Sequence, residues 1–115
     1  MTPEVWRAEL REILQWLSDE GYQLRTWFEQ GEEISSPEEL TAMLDTLQLE
    51  REFGREGSWL TGEQQRLGRE LLGAVDAFFD TQPKPPDPHV AINEPTWGVV
   101  RERAAALLTS LALTH

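Results

Sequence analysis

Two histidines, His89 and His115, are the side chains best suited to acid–base chemistry in this sequence. His89 follows Asp87 and Pro88, so a carboxylate and an imidazole that could bind a metal ion lie two residues apart. The proline constrains the backbone between them, the motif lacks a third ligand, and neither histidine lies in a motif with a nucleophile. With no cysteine, thiolate ligands and a cysteine nucleophile are excluded. We therefore expect no catalytic residue, no metal site and no cofactor, and predict that the protein is not an enzyme.

Carboxylates are the more informative side chains. The chain has 21 acidic and 10 basic residues, a net charge of −11. Such a charge repels the phosphates of nucleic acids and of anionic membranes, so we expect neither as a partner. The first 57 residues hold fourteen of the acids, and no base occurs between Arg25 and Arg51.

This base-free stretch predicts a surface that attracts a basic protein partner. We predict that residues 26–50 form the recognition face, with one aromatic anchor and six acids as contacts: Trp27, Glu29, Glu32, Glu33, Glu38, Glu39 and Asp45. A simpler interpretation stays open, in which the acids only provide solubility and favourable charges at helix N-termini.

Five tryptophans are unusually many for 115 residues. Trp6 and Trp97 fall on apolar helical stripes and are expected in the core. Trp16, Trp27 and Trp59 lie off those stripes, and one of them exposed beside the acids would suit a binding hot spot. The alternative is that they pack under a proline-rich segment.

Apolar residues recur with helical spacing in four long segments, and no segment alternates long enough for a strand. We predict main helices over residues 2–18, 36–49, 61–80 and 95–113, and a short helix within 22–30. Thr2, Ser36 and Thr61 are placed to cap the first three, and Glu39 and Gln64 to complete capping boxes. The wide apolar arc of residues 61–80 predicts that this is the central helix.

Residues 81–95 contain five prolines and are predicted to form an extended strap before the last helix. The predicted fold is therefore all-α, a compact bundle of four main helices and one short helix in a single domain spanning residues 1–115. No apolar run is long enough to span a membrane. The first 20 residues lack the pattern of a signal peptide, so we expect a cytoplasmic location.

Two short motifs resemble those of a group of small acidic helical bacterial proteins. The segment from Trp16 to Gln23 contains the pattern Leu-Ser-Asp-x-x-Tyr-Gln, and residues 94–100 resemble Asp-Pro-x-Trp-x-x-Val with glutamate in the first position. Some members of this group look like immunity proteins of contact-dependent inhibition or related toxin systems. The resemblance implies no catalytic residue, and it suggests structural roles for Asp19, Tyr22 and Trp97 as a helix cap, a core ring and a helix-start anchor.

The function expected from these features is inhibition of a basic toxin, such as a nuclease, by an acidic immunity-type protein. The alternative is a housekeeping or regulatory module that acts through homodimerisation or through another protein partner. Nine arginines against the single Lys84 also suggest a GC-rich bacterial genome.

Overall fold

Helices make up the regular structure of the computed structural model, which describes residues 1–29, 36–82 and 87–113 and contains no strand in these ranges. The α-helices are α1 (Pro3–Ser18), α2 (Glu20–Leu24), α3 (Pro37–Thr46), α4 (Gly62–Asp80), α5 (Pro88–Ala91) and α6 (Pro95–Leu113). A π-helical turn (Arg25–Glu29) follows α2, and a 3₁₀ turn (Leu49–Glu52) follows α3. The prediction of an all-α fold is confirmed.

Side-chain caps start the helices where the sequence predicts. The Thr2 hydroxyl accepts a hydrogen bond from the Val5 N–H at the start of α1. The Ser36 hydroxyl accepts from the Glu39 N–H at the start of α3. At the start of α4, Thr61 and Gln64 form the predicted reciprocal capping box.

Helix α6 lies between α1 and α4 and packs against both. The Gln64 side chain, near the start of α4, donates to the Ser110 carbonyl near the end of α6. Phe78, near the end of α4, contacts Trp97 near the start of α6. The two helices are therefore antiparallel. The prediction that α4 is central is wrong. Its wide apolar arc is instead divided between α6 and the segment after α3, where Phe53 contacts α4 at Gly68.

Three predicted boundaries need correction. The short helix predicted within residues 22–30 is α2, which begins earlier, at Glu20, and gives way to the π-helical turn after Leu24. Helix α3 ends at Thr46 rather than near Leu49, because Gln48 adopts the left-handed conformation with φ 56°. Pro88 begins the short helix α5 rather than continuing an extended strap, since Asp87 caps this turn by accepting from the His89 N–H. Residues 83–86 of the predicted strap lie outside the described residues.

A buried polar side chain, that of Gln23, links three helices by hydrogen bonds. Gln23, fully buried in α2, donates to the Trp16 and Leu17 carbonyls at the end of α1, each at 2.9 Å. Its amide oxygen accepts from the indole N–H of Trp97 in α6 at 3.0 Å. These three hydrogen bonds therefore hold the end of α1, α2 and the start of α6 together.

No helix in the described ranges is both long enough and apolar enough to cross a membrane.

Candidate protein-binding surface

The outer side of α3 carries the predicted acids that the structure describes. Pro37, Leu40, Thr41 and Leu44 are buried, so the opposite side of this helix faces outward. Glu38, Glu39 and Asp45 are all exposed, and none forms an ion pair with any described residue. Three exposed carboxylates on one helix produce a negative potential at this surface, which Arg51, lining the same groove as Asp45, offsets only in part.

Three of the predicted acids cannot be placed on this surface. The backbone of Glu29 ends the π-helical turn, but its side chain lies outside the described part of the chain, as do Glu32 and Glu33 entirely.

Trp27 is not the exposed anchor that we predict from the sequence. Its side chain is only 6% exposed, and its ring lies 5.8 Å from that of Trp97 and 6.3 Å from that of Phe28. The π-helical turn after α2 directs Trp27 toward α6, so the tryptophan contributes to the core and not to a partner-binding surface.

Trp6 and Trp97 are buried as predicted, and each indole N–H has an acceptor, the Leu47 carbonyl for Trp6 and the Gln23 amide for Trp97. Trp59 is half-buried, with the edge of Trp6 and the guanidinium of Arg55 both close to its ring.

Trp16 lies near the surface at the end of α1. It is half-buried, and its ring stacks on Tyr22 at 5.9 Å between centroids and 15° between planes. Its indole N–H has no hydrogen-bond acceptor among the described residues. Of the three tryptophans considered for a binding surface, Trp16 and Trp59 are therefore the two whose rings a partner can reach, since both are half-buried and both line grooves. Sequence reasoning chose Trp27 over Trp16 and Trp59 because it lies beside the acidic stretch, but the exposure of all three depends on neighbours distant in sequence.

Two adjoining grooves of about 260 Å³ each lie around the turn that follows α3. Asp45, Leu44 and Leu72 line the first, and Trp6, Glu52 and Trp59 are among the residues lining the second. Gln48 and Arg51 line both, and the Arg51 guanidinium donates to the Gln48 side chain. The first groove brings a predicted contact, Asp45, next to apolar side chains.

Glu52 is a buried carboxylate that the sequence pattern did not reveal. Its Oε1 atom accepts from Arg55, from the Ser58 hydroxyl and from the Trp59 N–H, at 2.7 to 3.0 Å. These bonds shape the segment between the 3₁₀ turn and α4. The burial of Glu52 is therefore explained by its structural role. The only sign of this role in the sequence is that the donors Arg55 and Ser58 follow the glutamate closely.

His89, which lies within the described residues, has few neighbours that could take part in acid–base chemistry with it. His89 Nδ1 lies 3.3 Å from Asp87 Oδ1, and its ring packs against Phe28 with 4.7 Å between centroids. Both polar side chains are more than half exposed. Within the described ranges, no three His, Asp or Glu residues are grouped as metal ligands. His115 lies outside those ranges.

The structure places two of the residues singled out by the family resemblance in their expected roles. Asp19 caps α2 by accepting from the Tyr22 N–H, and Trp97 is fully buried at the start of α6. Tyr22 is only partly buried, because its ring stacks on Trp16 near the surface. Comparison with protein-family models, curated proteins and solved structures found no match. The resemblance to immunity proteins therefore stays a prediction.

Proposed function

We propose that this chain is a non-enzymatic, cytoplasmic protein-binding domain that binds a basic protein through the acidic side of α3. The observation that supports this proposal is the set of three exposed carboxylates, Glu38, Glu39 and Asp45, without an ionic partner among the described residues. A basic surface docking here would gain ion pairs without having to displace existing ones. The opposite charges would also accelerate association.

The specific form of the proposal is an immunity-type inhibitor of a basic toxin, such as a nuclease. A nuclease carries a positive cleft that binds phosphates, and an acidic domain of net charge −11 can cover that cleft. Rapid capture matters for such an inhibitor because the toxin acts as soon as it is free.

The test reverses the charge of α3 and compares it with an equal reversal elsewhere. One variant carries Glu38→Lys, Glu39→Lys and Asp45→Lys. The matched control carries Asp76→Lys, Asp80→Lys and Glu102→Lys, all at exposed positions on α4 and α6. Both variants have a net charge of −5, so a general loss of negative charge affects them equally.

Each tagged protein is used to capture partners from the source cells at low and then high salt. We expect wild type and control to retain the same basic protein, released at high salt, and the α3 variant to lose it. Equal retention by the α3 variant would contradict the proposal. The immunity form further requires the captured protein to be toxic when expressed alone and harmless when co-expressed with wild type.

Homodimerisation, the alternative from the sequence, has no specific support on the described surface. The exposed large apolar side chains are distributed over several elements: Met1, Val5, Leu24, Val90, Val99 and Leu113. Light scattering across a concentration series distinguishes the alternatives, because a constant monomer mass contradicts self-association.

A further inference from the structure

A groove of about 250 Å³ lies along the outer side of α1 and is lined by Glu9, Glu12, Ile13 and Trp16. These positions are spaced i, i+3, i+4 and i+7, which places them on one face of the helix. Ile13 is buried and forms the floor, whereas both glutamates are exposed. Neither glutamate forms an ion pair with any described residue. The groove therefore presents two unpaired carboxylates above an apolar floor.

Trp16 provides an ordered aromatic surface at the end of this groove. Its stacking on Tyr22 holds the indole in place, and its N–H remains without an acceptor among the described residues. An ordered ring loses little conformational entropy when a ligand packs on it. The groove thus combines an aromatic face with two negative charges.

A guanidinium group matches this combination. It is planar, stacks on indole rings through cation–π attraction, and donates hydrogen bonds to carboxylates in a fixed geometry. No basic side chain lines this groove, whereas Arg51 lines both grooves beside the turn after α3, so a guanidinium would bind less favourably inside those two grooves than in the α1 groove.

We propose that the α1 groove, formed by Glu9, Glu12, Ile13 and Trp16, binds an arginine side chain of the protein partner. This inference rests on the proposed function in that the partner is basic. It extends the binding surface beyond α3 and assigns Trp16, rather than Trp27, as the aromatic contact. The partner's guanidinium lies over the indole and donates to the two glutamates.

The test uses small probes, so that it does not depend on identifying the partner. Acetyl-L-arginine amide and its uncharged analogue acetyl-L-citrulline amide are titrated into ¹⁵N-labelled protein and followed by NMR. We expect the arginine probe to shift the Trp16 indole resonance and the Glu9 and Glu12 amides along one saturable curve. The citrulline probe is expected to bind about fivefold more weakly or not at all.

Two variants identify the groove as the site. The double variant Glu9→Gln, Glu12→Gln should weaken arginine binding about fivefold, whereas the matched control Asp76→Asn, Asp80→Asn on α4 should leave it unchanged. Trp16→Leu should weaken it about threefold while keeping an apolar side chain at that position. The proposal is overturned if the Trp16 resonance does not move, or if the α1 and α4 double variants behave alike.

The failure of this inference and that of the proposed function are distinguishable. If arginine does not bind at the groove but the α3 reversal abolishes partner capture, only the arginine site is wrong. If arginine binds there but the α3 reversal leaves capture unchanged, the assignment of α3 as the recognition face is wrong.

Discussion

At the scale of single residues, hydrogen bonding accounts for how two tryptophans are buried in the core. Trp97 donates to Gln23, and Trp6 donates to a backbone carbonyl, because an unpaired N–H in the core would lose its hydration without compensation. Trp16 stays near the surface, where water or a partner can accept from its N–H. Gln23 in turn satisfies three groups belonging to α1 and α6, so its amide has a larger structural role than its own short helix suggests.

We predict that Gln23→Leu is strongly destabilising although leucine has a similar volume. The change removes three hydrogen bonds and leaves the Trp97 indole N–H buried and unpaired, so the free energy of unfolding should fall by about 2–4 kcal/mol. Urea denaturation followed by circular dichroism measures this difference. Gln15→Leu, at an exposed position of α1, is the control and should change stability by less than about 0.5 kcal/mol. Equal effects of the two changes would contradict the structural role of Gln23.

At the scale of elements, the segment between α3 and α4 depends on close contact with a glycine. A Cβ at Gly68 would lie 2.8 Å from the ring of Phe53, closer than two carbon atoms tolerate. Arg69 also lies over this ring, with 5.3 Å between the guanidinium carbon and the centroid. Gly68 therefore permits the aromatic side chain to pack directly on the α4 backbone.

Gly68→Ala and Gly73→Ala, both on α4, should shift stability in opposite directions. At Gly68 the new methyl group must displace Phe53, and we expect a loss of about 1–3 kcal/mol. At Gly73 nothing lies within 4 Å of the added Cβ, so the higher helix propensity of alanine should raise stability by up to about 1 kcal/mol. Thermal unfolding of both variants checks the pair. A stabilising Gly68→Ala would show that Phe53 does not pack closely on α4.

At the scale of the whole molecule, negative charges outnumber the bases available to pair with them. Among the described residues, the arginine–carboxylate pairs are those of Arg55, Arg66 and Arg101. Most of the 21 acids therefore repel one another in the folded state, where they are closer together than in the unfolded chain.

We predict that salt stabilises the isolated protein. Increasing the ionic strength from 0.01 to 1 M shortens the Debye length from about 30 to about 3 Å and screens this repulsion. A gain on the order of 1 kcal/mol would raise Tm by roughly 4–8 °C. The triple α3 variant with a net charge of −5 should gain less, because its self-repulsion is smaller. A Tm that does not rise with salt would contradict the prediction for wild type.

Local interactions made the starts of α1, α3 and α4 predictable from the sequence alone. A cap joins a side chain to an N–H group three residues later, so Thr2, Ser36 and Thr61 carried the necessary information within one turn. The apolar stripes of the long helices depend equally on local periodicity, and they were sufficient to predict an all-α fold. The spacing of Glu9, Glu12 and Trp16 on one face of α1 was also present in the sequence.

Only the tertiary structure determined which surfaces remain available. The burial of Trp27 against Trp97 and the bond from Trp97 to Gln23 join residues 70 or more positions apart, and the central position of α6 depends on its contacts with both α1 and α4. A periodic pattern shows that a helix has an apolar face, but not which helix covers it. The acidity of this chain is therefore a property of its sequence, whereas the exposure of the α3 carboxylates and the half-buried position of the Trp16 ring result from how the helices pack.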